Sequence, residues 1–421
     1  MIKPLSLQEY TEFFYQQDVQ SILQAPERVA FYEARHNDYD ILGYFNQDNT
    51  LVFSAIIQYL KLSLGFNRAV LIYGPTGDLS NLSEFETFIS ELKIYLKTKK
   101  KTLSLGIIPY LPDEVHTLDL QPTKTNLGKP IIDILERQEF EYQGDDIIGL
   151  TNRWIMIKDL REFKNHQDIL QSYHKQTRKT VNKLEEFHLE VEELTSDNLQ
   201  RFVDIEKHTE ETRGFQARDT TFYQHIFNAF NNQNRAKVTV ARFNLQRYIN
   251  ELKEKLEQVT EELEALLAQE RTPHVQKKIN VATEQQNSFS SRLNRMTKLR
   301  EKYPQEMIDI AARFYLKTNF EQVALYGGSL KDFEFIPAST FLYHHIILDT
   351  FDQNIPIYNY YGIYGYGDTG GQDSAILRFK KGFGGDVYKM VGEYDCVLQP
   401  SKLKLYQTIK NLAKVASRRT D

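Results

Sequence analysis

Two adjacent lysines, Lys380 and Lys381, fall in the last turn of a short helical segment begun by Ile376, Leu377 and Phe379 and ended at Gly382. Five glycines lie between Gly362 and Gly371 just upstream. Such a stretch tolerates positive φ and lets a ligand approach the backbone, so two cations follow a ligand-permissive loop. The chemistry open to them is electrostatic, the holding of a negative charge. Read alone, a lysine there is equally a solvated charge complementing a helix C-terminus. Arg218, in GFQARD, offers a planar fork suited to a pyrophosphate, or else an ion pair with Asp219. Tyr326 opens YGGS, where two glycines permit close approach and the phenol can donate to a phosphate or sugar; the alternative is a strand-end aromatic in the core.

Other patterns carry less. Gly365, Gly367 and Gly370 spell GxGxxG, but the helix that follows is too short for a dinucleotide-binding βαβ unit. His344 and His345 are adjacent on a helix, so they point to different faces and cannot chelate one metal as an i, i+4 pair does. Glu185-Glu186 and Glu192-Glu193 read as solvated surface charge.

The elements that position these groups read as alternating helix and strand. Tyr358 to Tyr361 is a buried strand bounded by Pro356 and Gly362. Leu51 to Leu64, Ala69 to Ile72 and Thr102 to Ile108 are strand-like, and Ser83 with Glu86 suggests a capping box before Phe85, Phe88, Ile89, Leu92 and Leu96. A second unit begins near Leu150, with a strand through Trp154 to Ile157, a charged helix near Gln167 to Glu185, a strand His188 to Leu194 and a helix Asp197 to His208. Leu252, Leu256, Val259, Leu263 and Leu266 then define a coiled-coil seam, which resumes after Thr272-Pro273 at Val275, Ile279, Ala282, Phe289, Leu293 and Met296. Two helices of roughly 20 to 25 residues folding back would project on the order of 30 to 37 Å, from between strands Lys237 to Phe243 and Met307 to Leu316.

The 421 residues imply two or three domains. A net charge of -5 argues against a general nucleic-acid coat. The one cysteine, Cys396, fits a reducing cytoplasm. No apolar leader and no apolar run of about 18 residues occurs. The tail from Ser401 to Arg419 is amphipathic: Leu405, Ile409, Leu412 and Ala416 share a face, and Lys402, Lys404, Lys410, Lys414, Arg418 and Arg419 make the opposite side positive. It reads either as a terminal helix docked on the core or as one lying near an anionic membrane surface.

The runs YNYYGIYG and AILRFKKGFGGDVYKMVGEYD resemble the C-terminal signature of the FemABX aminoacyltransferases. Leu170 to Glu185, Thr209 to Tyr223 and YGGS fit that family's patterns in the same order. The resemblance implies an α/β fold of two tandem GNAT-like (acyl-CoA N-acyltransferase-like) units with an inserted antiparallel coiled-coil hairpin. The corresponding division is 1–148 for the first unit, 149–245 with 304–400 for the second, 246–303 for the arm and 401–421 for a basic helix. It implies transfer of an amino acid from aminoacyl-tRNA to the stem-peptide amine of a lipid-linked or UDP-linked muramyl pentapeptide, with no cofactor or metal.

Phe379-Lys380 matches the family's catalytic pair, with Lys381 the nearest rival. Arg218, Tyr326, Tyr223 and Thr209 match substrate-binding positions. The arm is then a homo- or hetero-oligomer contact or an RNA contact, and the protein is cytoplasmic, with peripheral contact at the inner membrane face open. Two positions depart from the pattern. Ile108 stands where relatives carry an aspartate, and Tyr32 where they carry a precursor-binding lysine, for which Arg28 or Arg35 can substitute. An acyl-CoA enzyme on the same fold is disfavoured because no Q/R-x-x-G-x-G/A loop occurs. A non-catalytic coiled-coil scaffold is the remaining alternative.

Overall fold

The computed structural model describes residues 1–119, 121–144, 151–213, 218–363 and 375–417. The glycines Gly365, Gly367, Gly370 and Gly371 lie outside the described residues, as do Leu150, Arg418 and Arg419. Among the described residues there are two mixed sheets, of seven and nine strands.

Each sheet repeats one plan, an antiparallel meander leading into a parallel pair. In the first sheet, Asp38–Phe45, Leu51–Lys61 and Asn67–Ile72 run antiparallel, and Asn67–Ile72 then pairs parallel with Thr102–Ile108. In the second, Ala236–Asn244, Met307–Lys317 and Glu321–Ser329 form the meander, and Glu321–Ser329 pairs parallel with Ile357–Gly362. Parallel neighbours need a crossover. The helices Leu82–Thr98 and Ala338–Asp352 lie in those two connections. This is the architecture of two tandem GNAT-like units.

The parallel pairs differ in one respect that matters for function. The first is paired along its length, from Asn67 opposite Thr102 to Ile72 opposite Ile108. The second pairs only from Glu321 opposite Ile357 to Val323 opposite Asn359, although its strands continue to Ser329 and Gly362. The second sheet is therefore open between those strands beyond Val323 and Asn359.

The sheets also exchange strands. Pro112–His116 and Pro122–Lys124, from the N-terminal half, join the second sheet, whereas Tyr394–Val397 joins the first beside Thr102–Ile108. One hydrophobic core runs across the joint, collecting Phe14, Tyr32, Tyr73 and Ile108 with Phe202, Tyr223, Phe230 and Phe314. Each sheet depends on chain from both halves.

Local differences from the sequence reading have identifiable causes. The helix Leu82–Thr98 starts on Asn81, whose side chain accepts from Glu84 N, so Ser83 is inside the helix rather than its cap. The first long strand ends at Lys61 and is followed by a 3-10 turn, Ser63–Gly65. The charged stretch Gln167 to Glu185 is two short helices, His166–Gln171 and Lys175–Val181, with a 3-10 turn Leu184–Phe187. Tertiary contacts break it: Tyr173 is buried, and His174 N donates to Gly382 O at 2.9 Å.

The insertion consists of helices Leu245–Leu267 and Pro273–Lys302, packed on each other through Val259, Leu266, Ile279 and Ala282. Polar Gln286 finds a partner across the seam, Thr260 Oγ1, at 3.0 Å. The flanking strands are direct neighbours, with Asn244 opposite Met307, so the helices replace a hairpin turn. The second helix has 30 residues against 23 because its last turns return along the body. There Met296 packs with Tyr248, Ile249, Leu252, Phe243 and Phe333.

The base of the insertion is thus core, and truncating Leu252, 2% exposed, to Ala should cost about 2–4 kcal/mol. Val281→Ala, at a position 48% exposed, should leave denaturant stability within about 0.5 kcal/mol.

Candidate active site

The site begins with a local irregularity in the strand Ile357–Gly362. Against Trp154–Asp159 the register slips between Asn359 and Tyr361, leaving Tyr360 as a bulged residue. Tyr361 has φ of 63°, a conformation that costs a non-glycine residue on the order of 1 kcal/mol. Tyr361 N donates to Asn359 Oδ1 at 2.8 Å, and Asn359 Nδ2 donates to the buried carboxylate of Glu321 at 2.8 Å. Tyr110, from the N-terminal half, also donates to Glu321. Burial raises the Glu321 pKa, while its Asn359 and Tyr110 hydrogen bonds pull it down. The bulge is therefore held by a buried network spanning both halves of the chain.

Lys380 meets the strand at this bulge, just beyond the part that is paired with Glu321–Ser329. Its Nζ donates to Tyr360 O and to Gly362 O, each at 2.7 Å, and the residue is 7% exposed. An ammonium has three donors. Among the described residues two are used, by these carbonyls, which leaves one. Burial pushes the Lys380 pKa down to about 7, and the guanidinium of Arg313 adds to the shift.

Lys380 sits on the helix Ala375–Lys381, too short to persist alone. Its far end is clamped. Besides the His174–Gly382 bond, Tyr360 Oη donates to Gly384 O at 3.1 Å, and Lys158 Nζ donates to Phe383 O at 2.9 Å and Ser172 Oγ at 2.7 Å. Lys158 is itself buried, which lowers its pKa to about 8. Phe379 packs edge-on against Tyr343 at 5.1 Å and Phe383 at 5.3 Å. Lys381, next in sequence, is only half-buried.

A separate cleft of about 280 Å³ lies where the halves meet. The N-terminal half contributes Arg28, Phe31, Tyr32 and Arg35, and the C-terminal half Arg218, Asp219 and Phe222. The guanidinium of Arg28 lies over the rings of Phe31 and Tyr32, that of Arg35 over Phe31 and Phe222, and that of Arg218 over Phe222, at 4.8 to 5.8 Å. Among the described residues none of the three has an ion-pair partner, and Arg28 Nε is buried without a partner. Asp219 does not pair with Arg218; it caps the helix Thr220–Asn231 through Phe222 N at 2.7 Å. The cleft is aromatic and carries three guanidinium groups against the one carboxylate of Asp219.

Tyr326 packs on the cleft side of the second sheet. It lies on the opened strand Glu321–Ser329, and its ring meets Phe222 of the cleft at 6.1 Å and Tyr223 at 5.3 Å. Thr209 and Tyr223 are buried and act within the protein. Ser329 N donates to Thr209 Oγ1 at 3.3 Å, and Tyr223 Oη donates to Glu206 Oε2 at 3.1 Å. Ile108 is core beside Tyr32 and Tyr73. His344 receives or donates a bond with Tyr173 Oη at 3.1 Å, and among the described residues no metal-binding cluster occurs. Sequence reasoning missed Arg313, Lys158, Asn359 and Glu321, because each is significant only through partners distant in the chain.

A profile of the FemAB family matches residues 5–411. The chain belongs to the FemAB family. The aminoacyltransferase FemA of Staphylococcus epidermidis is 24% identical over 419 residues, spanning 97% of this chain and 99% of that protein. FemA of Staphylococcus aureus is 25% identical over 387 residues, 90% of each. The crystal structure of FemX superposes with a TM-score of 0.72 at 18% identity, covering 96% of this chain and 99% of FemX, so the FemX fold is shared. The GNAT-like reading and the FemABX resemblance are both borne out by this FemAB membership.

A pH test isolates the buried lysine. Below about pH 7 the folded and unfolded chains both carry the Lys380 proton; above it the unfolded chain, near the ordinary 10.5, binds more protons than the folded one. Stability contributed by this group therefore rises with pH across that window, by up to about 1.4 kcal/mol per unit. Lys158 acts in the same direction from about 8. Lys380→Met should flatten the rise of denaturant stability between pH 7 and 9 relative to the unsubstituted chain.

Proposed function

We propose that this FemAB-family chain is an aminoacyltransferase that moves an amino acid from aminoacyl-tRNA to the side-chain amine of a peptidoglycan stem peptide, building an interpeptide bridge. The observation that carries the site assignment is the Lys380 ammonium, held at the opened sheet by two carbonyls with its third donor unused among the described residues. In the reaction the acceptor amine attacks the ester carbonyl, the C–N bond forms, the ribose C–O bond breaks, and the amine's proton ends on the departing ribose oxygen. An ester becomes an amide, so the protein has only to position the reactants and stabilise the oxyanion. Lys380 supplies that positive donor, and Phe379 shapes the wall beside it. With Ile108 in the core, the expected strand-end aspartate supplies no base. The proton passes from amine to ribose oxygen without a carboxylate at that position.

The arginine cleft takes the nucleotide- or lipid-linked end of the acceptor, whose pyrophosphate suits unpaired guanidinium forks. Arg28 and Arg35 then replace the lysine absent at Tyr32, joining Arg218, while Tyr326 packs on the cleft side. Lys381 lines the approach, and Thr209 and Tyr223 support it from behind.

A transfer assay with charged bacterial tRNAs and both precursor forms, read by product mass, tests this. The product should gain one amino acid. Lys380→Met should lower kcat by about 100-fold or more with precursor affinity retained; unchanged turnover would sink the assignment. Arg218→Ala should instead weaken precursor binding by about tenfold with kcat little changed.

The C-terminal helix Pro400–Ser417 contributes peripheral membrane contact in this reading. Tyr406 docks it, meeting Phe66 at 5.9 Å, and leaves Leu405 and Ile409 exposed beside Lys404 and Lys410. No helix among the described residues is long and apolar enough to cross a membrane. The helical insertion serves self- or cross-association. Sedimentation checks both roles: the chain should pellet with anionic but not neutral vesicles, and replacing the outer part of the insertion, 260–286, by a short turn that keeps the packed base should abolish any dimer while leaving vesicle binding intact.

A further inference from the structure

Among the described residues no carboxylate lies within ion-pair distance of Arg313, and the buried carboxylate of Glu206 acts on it only from farther away. Arg313 lies on the strand Met307–Lys317 directly opposite Gly327 of the opened strand. A Cβ on Gly327 would lie 2.2 Å from Arg313 Nη1 and 2.5 Å from its Cδ, so the side chain crosses the strand in the space the glycine leaves. The guanidinium ends over the ring of Tyr343 at 4.9 Å, and Tyr343 in turn packs on Phe379. Its one protein hydrogen bond among the described residues is to Ser339 Oγ at 3.3 Å, and Nε is buried without a partner. A half-buried guanidinium with most of its donors unused is costly unless a ligand completes it.

Its face is as informative as its isolation. Successive strand residues point to opposite sides of a sheet. Phe314, the next residue, packs on Tyr223 and Tyr326, on the side of the helix Thr220–Asn231 that carries the arginine cleft. Arg313 lies on the other side, against the helix Ala338–Asp352. Between the two sides is the gap beyond Val323 and Asn359, with Lys380 at its edge. Arg313 is also the charged neighbour that acts on Lys380.

We infer that Arg313 binds a phosphodiester of the RNA donor, on the face of the second sheet opposite the acceptor cleft, so that donor and acceptor meet through the gap at Lys380. A phosphodiester is a single-charge, two-oxygen acceptor that matches a guanidinium fork. An acceptor pyrophosphate is already served by the cleft arginines on the other face. The inference rests on the reading that the donor is a charged RNA.

The test compares two minimal donors, a 3′-aminoacylated dinucleotide carrying one internal phosphodiester and the 3′-aminoacyl adenosine lacking it. Arg313→Gln should raise KM for the dinucleotide donor about tenfold or more and leave KM for the adenosine donor within about twofold. Arg313→Lys, which keeps the charge, should recover part of the loss. Equal loss on both donors would make Arg313 structural, and no loss on the dinucleotide would make it irrelevant; either overturns the assignment.

A measurement on the unsubstituted protein stands apart from folding of the variants. Binding of the uncharged dinucleotide should weaken with salt more steeply than binding of adenosine, and parallel salt dependence overturns the proposal. If the unsubstituted chain transfers from neither donor, the charged-RNA reading fails, whereas the Arg313 assignment still stands or falls on that binding comparison.

Discussion

A lysine ammonium removed from water must find acceptors, and at Lys380 they are two backbone carbonyls of a strand that has lost its neighbour. Had the parallel pair in the second sheet stayed joined to its end, as the pair in the first sheet does, there would be no gap for Lys380 to border. The Tyr360 bulge and the left-handed Tyr361 lie where the strand presents those carbonyls to Lys380. Desolvation strengthens the hydrogen bonds of the ammonium to those carbonyls, because a low-dielectric setting weakens the competition from water, and at the same time lowers its pKa, so the cation is more fully kept as pH falls. One broken ladder thus explains the location of the candidate site and the burial of Lys380 beside it.

The remaining architecture holds that broken ladder open. Asn359 ties the bulge to Glu321, and Tyr110 ties Glu321 to the N-terminal half. The exchanged strands Pro112–His116 and Tyr394–Val397 make the joint a shared core rather than a contact of two surfaces. A cleft lined from both halves needs such a joint, since its guanidinium groups must keep their spacing without carboxylates to hold them. On the far side, Lys158 and the break at Tyr173–His174 fix the turn that follows Lys380. The duplicated plan therefore carries unequal duties. The first unit stays closed and lends Arg28 and Arg35 to the cleft, and the second opens beside Lys380.

Much of this was legible in the chain. The insertion was evident from its 3,4 spacing, because helix pairing depends on local periodicity. The Tyr-rich strand, the glycines after it and the Phe379-Lys380 pair marked the site region, since each is a contiguous run with a conformational meaning. Boundaries that tertiary contacts control were less legible. The helix expected near Gln167 to Glu185 is broken where it clasps Gly382, and the cap of Leu82–Thr98 sits two residues before the Ser83 pattern. The apolar stripe of the C-terminal helix also did not announce that Tyr406 would be the docked residue and Leu405 and Ile409 the exposed ones.

By itself the sequence determined the kind of protein: an α/β duplication with a helical arm, a glycine-rich approach to a lysine, and a family membership that a profile over residues 5–411 bears out. These follow from local propensity, spacing and contiguous motifs. Only the tertiary structure decided which lysine is buried, that Arg28, Arg35 and Arg218 share one cleft, and that Arg313 lies across Gly327 on the opposite face. Those facts depend on desolvation and on which charges lack partners. Both are properties of how distant segments pack, and no run of neighbouring residues encodes them.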